Sequence, residues 1–266
     1  MRQTFAITNQ KGGVGKTTTC VNLAASLVAI NKKVLLIDLD PQGNATMGSG
    51  VDKSDLTLSV YDVLMRRAEL SQSTKYSQTG NYQVLPANSD LTAAEVHLLS
   101  ESDKEFRLRD ALKSVRHLYD FILIDCPPSL NMLTINALAA CDSVIIPMQC
   151  EYYALEGLSS LLETVEQIRS RANPTLTIAG ILRTMYDPRS SLTNEVSDQL
   201  KHFFGDSVYQ VCIPRNVRLA EAPSFGQPVL SYDRQSKGAA AYLALAGEFV
   251  RRNGLAGKQE STHNSQ

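Results

Sequence analysis

Short apolar runs rich in β-branched residues alternate along this chain with longer stretches whose apolar positions recur every three or four residues. The first pattern reads as buried strands and the second as amphipathic helices. Strands are predicted at 5–8, 33–38, 83–86, 121–125, 143–147, 177–184 and 208–213, and helices at 16–30, 59–67, 90–99, 104–118, 130–140, 155–171, 192–204 and 238–252. Strands that are apolar on both faces and separated by helices belong to a parallel sheet covered on both sides. The expected fold class is therefore α/β, a doubly wound and mostly parallel sheet flanked by helices on both faces. Residues 71–81 are polar and read as a surface loop, and residues 1–252 read as one domain. The stretch 253–266 has Leu255 and Ala256 as its apolar content, which predicts a disordered tail.

Composition narrows the function classes. With 266 residues, 26 basic and 27 acidic side chains, the chain carries no global field that would mark it for nucleic acid or membrane, so any polyanion site must be local. Its five cysteines, Cys20, Cys126, Cys141, Cys150 and Cys212, form no C-x-x-C pair, which argues against a disulfide framework and a zinc site. The N-terminal residues pass directly into a strand-like run with no signal-peptide shape, and no stretch is apolar and long enough for a membrane span. The expected location is the cytoplasm.

The chemistry begins after the first strand. Lys11-Gly12-Gly13-Val14-Gly15-Lys16-Thr17 lies between a buried strand and a helix, where flexible backbone lets N–H groups converge on an anion and the helix end adds partial positive charge. That is the chemistry of triphosphate binding, with ATP and Mg²⁺ as the expected cofactors and a P-loop nucleoside triphosphatase as the expected class. Lys16 is expected to reach the β- and γ-phosphates and the Thr17 hydroxyl to ligate Mg²⁺, with Gly12, Gly13, Val14, Gly15 and Thr18 completing the loop. The general pattern calls for glycine where Gln10 stands, and a second lysine, Lys11, follows it. This departure resembles the deviant Walker A family. The resemblance implies that Lys11 crosses a subunit interface to the partner's phosphates, so that a homodimer formed with ATP completes the catalytic set.

Two further strands end in acids. The 33–38 run leads into Asp38-Leu39-Asp40-Pro41-Gln42-Gly43-Asn44, and 121–125 is apolar until Asp125, as in a Walker B strand. Both place carboxylates at the sheet's carboxyl edge, beside the loop. Asp125 is expected to hold Mg²⁺ through water. For Asp38 a turn-capping role and a chemical role stay equally open. Asp125 is followed by Cys126-Pro127-Pro128, a segment stiffened by proline that would sense the γ-phosphate; Cys126 itself reads as a small packed residue.

These segments, together with the run from Ile213 to Gly226, Ile-Pro-Arg-Asn-Val-Arg-Leu-Ala-Glu-Ala-Pro-Ser-Phe-Gly, resemble the ParA family in its small, Soj-like form, over nearly the whole chain. The larger plasmid relatives carry an added N-terminal DNA-binding domain, which is expected to be absent here. The resemblance implies an ATP-dependent switch in DNA segregation that binds double-stranded DNA without sequence preference and is stimulated by a ParB-type partner, which would make it nucleoid-associated. It also implies that Asp40 orients the attacking water, that Pro214 and Asn216 border the adenine, and that Arg189 and Arg218, both expected in loops, contact DNA. The local charge supports the last point weakly, at net +2 from residue 183 to 252. The competing reading is a MinD-type membrane ATPase; such proteins end in a basic amphipathic helix, and the run from Asn253 to Ser261 offers no apolar face.

Overall fold

A computed structural model describes residues 2–259. In chain order the strands are β1 (Gln3–Ile7), β2 (Val34–Asp38), β3 (Lys75–Ser77), β4 (Tyr82–Leu85), β5 (Phe121–Asp125), β6 (Ser143–Gln149) and β7 (Thr177–Thr184). They form one sheet in the order β3-β4-β2-β5-β1-β6-β7, parallel throughout except for β3 against β4. The principal helices are α1 (Lys16–Ala29), α2 (Asn44–Gly48), α3 (Val60–Leu64), α4 (Leu70–Ser73), α5 (Leu91–Leu99), α6 (Arg107–Leu112), α7 (Met132–Ala140), α8 (Ala154–Arg171), α9 (Ser191–Phe204), α10 (Val217–Glu221), α11 (Val229–Tyr232) and α12 (Lys237–Gln259).

Alternation along the strands explains the two layers. Phe5, Ile7, Leu36 and Leu123 join α1 and α12 in one buried cluster, where Phe249 packs against Phe5 and Phe121 at centroid distances of 4.6 and 5.1 Å. Ala6, Leu35, Ile37, Ile122 and Ile124 point the other way and join α3 and α5–α9. The chain leaves β1 toward β2 on one side of the sheet and leaves β5 toward β6 on the other. The crevice between these divergent connections is where an open α/β sheet places its ligand, and the loop after β1 opens into it.

Three expectations are corrected. Residues 208–213 form no strand: Val208 makes one isolated bridge to Ile181 and the next falls at Pro214, because side chains take the backbone groups a ladder would need. Glu248 accepts from the Gln210 and Val211 amides at 2.8 and 2.9 Å, while Arg183 donates to the Tyr209 and Gln210 carbonyls at 2.8 and 3.0 Å. The polar stretch 71–81 supplies β3, a short edge strand whose pairing is carried by backbone and leaves no apolar alternation to read. The last helix passes the expected boundary at Arg252 and continues to Gln259; the expectation of a disordered tail otherwise falls on residues 260–266, outside the described residues. Among the described residues no helix is long and apolar enough to cross a membrane.

Candidate nucleotide-binding site

The loop after β1 is braced at both ends. The Asn9 side chain, itself buried, donates to the Pro147 carbonyl at 2.8 Å and accepts from the Lys11 amide at 2.9 Å. Thr184, the last residue of β7, donates its hydroxyl to the Val14 carbonyl at 2.8 Å. On either side of Val14, Gly13 and Gly15 adopt φ of +74° and +87°, conformations that side-chain-bearing residues adopt at a cost of about 1–2 kcal/mol. Gly15 turns the chain into α1, whose N-terminus no side chain caps. The result is a rigid cradle of backbone donors with the positive end of a 14-residue helix behind it.

Lys16 is 7% exposed and donates to the Lys11 carbonyl at 3.3 Å. Burial lowers its pKa, and the charge of Asp125 opposes that shift. Thr17 donates to Asp125 Oδ2 at 2.7 Å, which joins the first turn of α1 to the end of β5. The other Asp125 oxygen, Oδ1, is buried and without a partner. An orphaned carboxylate oxygen beside a hydroxyl is a hard-oxygen donor set, and it fits a divalent cation or a water on one. Thr18 lies on the same turn and lines an adjoining cavity.

Asp38 pairs with Asp125 across the sheet and is fully buried. Its Oδ2 accepts from the Thr46 amide and hydroxyl at 2.8 and 2.7 Å, and its Oδ1 accepts from the Asp40 amide at 3.1 Å. Asp38 thus has a turn-holding role in the structure: it fixes the segment that carries Asp40. Asp40 is half-buried, and its Oδ1 accepts from the Gln42 amide at 2.9 Å. Gly43 closes the turn at φ +63°, where an added Cβ would lie 2.7 Å from the Ala87 carbonyl oxygen.

Burial pushes the Asp38 carboxyl up to about 6, against the hydrogen bonds from Thr46 and Asp40. Burial, and then the charge of Asp38, also holds Asp125 well above the carboxylate range. A raised native pKa means that the folded chain retains protons the unfolded chain has lost. For Asp38 the contribution to stability is full below pH 3.8 and is lost as pH rises toward 6. We expect the Asp38 carboxyl ¹³C resonance to titrate near pH 6 in the free chain and to move to lower pH when Mg²⁺ binds beside it, because a nearby divalent cation favours the ionised form. A midpoint near the ordinary value of about 4, unchanged by Mg²⁺, would show that Thr46 outweighs burial.

Lys11 is half exposed, and its Nζ lies 2.5 Å from Glu151 Oε2 in the same chain. Gln10 reaches the Thr164 hydroxyl at 3.3 Å, toward α8. A cavity of about 220 Å³ opens on the other side of the cradle, lined in part by Gly15, Thr18, Thr184, Pro214, Asn216 and Tyr242. Pro214 and Asn216 therefore stand one base-sized space from the glycine loop. Asn216 Oδ1 is itself buried and without a hydrogen-bond partner, close to Gly238, where an added Cβ would lie 3.2 Å from it. Arg189 lies in the loop between β7 and α9, as expected. Arg218 does not lie in a loop but in the first turn of α10, because Asn216 in an extended conformation starts a helix there.

Sequence reasoning missed Asn9, Thr46, Glu151, Thr184 and Tyr242. Glu151 stands just beyond β6 as Asp40 stands beyond β2, so the carboxyl-edge rule could have found it. Asn9, Thr184 and Tyr242 work through hydrogen bonds to residues 138, 170 and 223 positions away, which no spacing announces, whereas Thr46 lies eight residues from Asp38 and goes unnoticed because a threonine in a turn carries no distinctive signal. Cys126 is 1% exposed and packed in the core, and burial raises its thiol pKa.

Comparison with known proteins adds to this geometry. Residues 2–178 match the family model described as an AAA domain. The chain is 54% identical over 250 residues to the sporulation initiation inhibitor protein Soj of Bacillus subtilis, covering 94% of this chain and 99% of that protein. It is 50% identical over 249 residues to the chromosome partitioning protein ParA of Myxococcus xanthus, covering 94% of this chain and 88% of that one. Among solved structures, it is similar to a cobyrinic acid a,c-diamide synthase of Mycobacterium smegmatis with bound ATP analogue and magnesium. The TM-score is 0.83 at 36% identity, over 94% of this chain and 95% of that one.

Proposed function

This chain belongs to the ParA/Soj family of chromosome-partitioning ATPases, and on that premise we propose that it is an ATP-dependent dimeric switch that holds DNA in its ATP state and releases it after hydrolysis. The observation that carries the reading is the juxtaposition of an uncapped helix N-terminus, a buried lysine and a hydroxyl–carboxylate pair with an orphaned oxygen.

The glycine cradle and Lys16 bind the phosphates, and the α1 N-terminus favours their negative charge. Thr17 and Asp125 hold the magnesium ion, Asp125 through water. That ion supplies positive charge against the phosphates and offsets the repulsion between Asp38 and Asp125. Pro214 and Asn216 border the base. Asp40 orients water from a turn that Asp38 holds in place. Lys11 acts across the dimer, where a cation delivered by the second subunit ties catalysis to assembly. In a single chain Lys11 is engaged by Glu151, so assembly exchanges an ion pair within the chain for one between chains.

Arg189 and Arg218 supply the DNA contacts, and dimerisation doubles the patch. A ParB-type partner at a centromere-like site stimulates hydrolysis, which places the protein on the nucleoid. The test is co-sedimentation with duplex DNA and with anionic liposomes, each with ATP, ADP or no nucleotide. Retention on DNA with ATP alone is the expected result, and Arg189→Glu or Arg218→Glu should weaken it by about tenfold or more at 0.1 M salt while leaving the dimer intact. Retention on liposomes instead of DNA would select the membrane-associated alternative.

A further inference from the structure

Both arginines assigned to DNA are already occupied within the chain. Arg189 is the more exposed, at 88%, yet Asp187 two residues earlier accepts from its Nε and Nη2 at 2.9 Å each and from its backbone amide at 3.1 Å. This is a fork on a carboxylate, the geometry in which arginine also grips a phosphate. Arg218 donates to Glu221 at 2.7 Å and lies 3.2 Å from Asp233. Glu221 is itself held by the Tyr232 hydroxyl at 3.3 Å, and Tyr232 stacks on Phe225 at a centroid distance of 5.0 Å. Asp187 thus occupies the fork of Arg189, and Glu221, with Asp233 beside it, occupies Arg218.

We propose that Asp187 and Glu221 are internal competitors for DNA phosphate, setting the affinity of one chain's patch so low that retention needs the patches of two chains at once. The proposal rests on the reading that Arg189 and Arg218 meet DNA. An arginine that must leave a carboxylate brings less net charge to the phosphate, so each pair releases fewer counterions than a free arginine would. Removing one carboxylate should steepen the dependence of log K on log salt by up to about 0.9, which at 0.1 M salt corresponds to roughly an eightfold gain over a 1 M reference. Two patches joined in a dimer multiply the gain through effective concentration, whereas a single patch stays weak. The acids thereby sharpen the difference between the assembled and unassembled states.

The test uses the full chain with Asp187→Asn, Glu221→Gln and the double substitution. Both replacements keep an oxygen acceptor, for the Arg189 amide and for the Tyr232 hydroxyl respectively. Affinity for a duplex of arbitrary sequence is measured by fluorescence anisotropy across a salt series with ATP and with ADP. Dimerisation by sedimentation and DNA-free hydrolysis are measured alongside. The double variant is expected to bind tenfold or more tightly at 0.1 M salt with a steeper slope, to retain DNA with ADP, and to dimerise and hydrolyse as before. Wild-type affinity and slope in all three variants, with binding lost in Arg189→Glu and Arg218→Glu, would overturn the proposal alone. An equal gain from Glu195→Gln, an acid on α9 that pairs with neither arginine, would also overturn it by showing a general charge effect. Full DNA retention by both charge-reversed arginine variants would remove the underlying reading, and this proposal with it.

Discussion

Lys16→Ala is expected to lower ATP hydrolysis by about 10³-fold or more and to weaken nucleotide binding at least tenfold. Lys16 is the buried cation of the cradle, beside the acids Asp125 and Asp40. Without it the first turn of α1 still presents its amides, so an anion can still bind weakly. What disappears is the point charge that follows the phosphates as negative charge shifts in the transition state. The loss also acts on Asp125, whose pKa Lys16 lowers; the carboxyl moves further toward its neutral form and becomes a poorer partner for a cation. Lys16→Arg should not restore activity, because a planar fork cannot follow the phosphates as a point charge on a flexible stem does. Turnover and nucleotide titration, with circular dichroism to confirm folding, check this. Hydrolysis within tenfold of wild type in Lys16→Ala would remove the loop from the chemistry.

The sheet was legible because its strands declare themselves by composition. Phe121–Asp125 is apolar on both faces and ends in an acid, and the structure places that strand at the boundaries read from sequence. The loop was legible because glycine carries its backbone meaning in its identity, as Gly13 and Gly15 show. Residues 208–213 misled because they have strand composition while Glu248 and Arg183 take their backbone groups. β3 was invisible for the opposite reason, since a polar edge strand needs a neighbour and not a pattern. Asp38 was ambiguous in sequence because a buried acid and a turn cap look alike, and Thr46 resolves its turn-holding part. The pairing of Lys11 with Glu151 could not be read at all, because it joins residues 140 apart.

That pairing and the two arginine pairs share a logic. Lys11, Arg189 and Arg218 each meet a carboxylate of their own chain, while Lys16 is buried beside the phosphate cradle. Binding nucleotide therefore calls on a cation that is ready, and assembly or DNA binding calls on cations that must first be released. Exposed pairs of this kind are individually weak, so release is within reach of one new phosphate contact. Which cations are held thus separates nucleotide binding from the two later steps of the proposed cycle, assembly and DNA binding.

Asp40→Ala is expected to separate hydrolysis from everything before it. The turn carrying Asp40 keeps most of its supports in this variant: the residue-40 amide still donates to Asp38, and the Gly43 amide still donates to the residue-40 carbonyl. Only the bond from the Gln42 amide to the side chain is lost, at about 1 kcal/mol. The cradle, Lys16 and the Thr17–Asp125 pair contain no atom of Asp40, so nucleotide affinity and ATP-dependent dimerisation should stay within about threefold of wild type. Hydrolysis should fall by about 10²- to 10⁴-fold, the range for removing a group that positions or deprotonates water. A dimer that forms and cannot discharge its nucleotide should then persist on DNA, with a retention half-life lengthened in proportion. Asp40→Asn divides the two functions of the side chain, because its amide oxygen can still accept from Gln42 while its charge is gone. Equal loss in Asp40→Asn and Asp40→Ala assigns the effect to the carboxylate. Recovery in Asp40→Asn assigns it to the turn, and the water would then have to be oriented by another group.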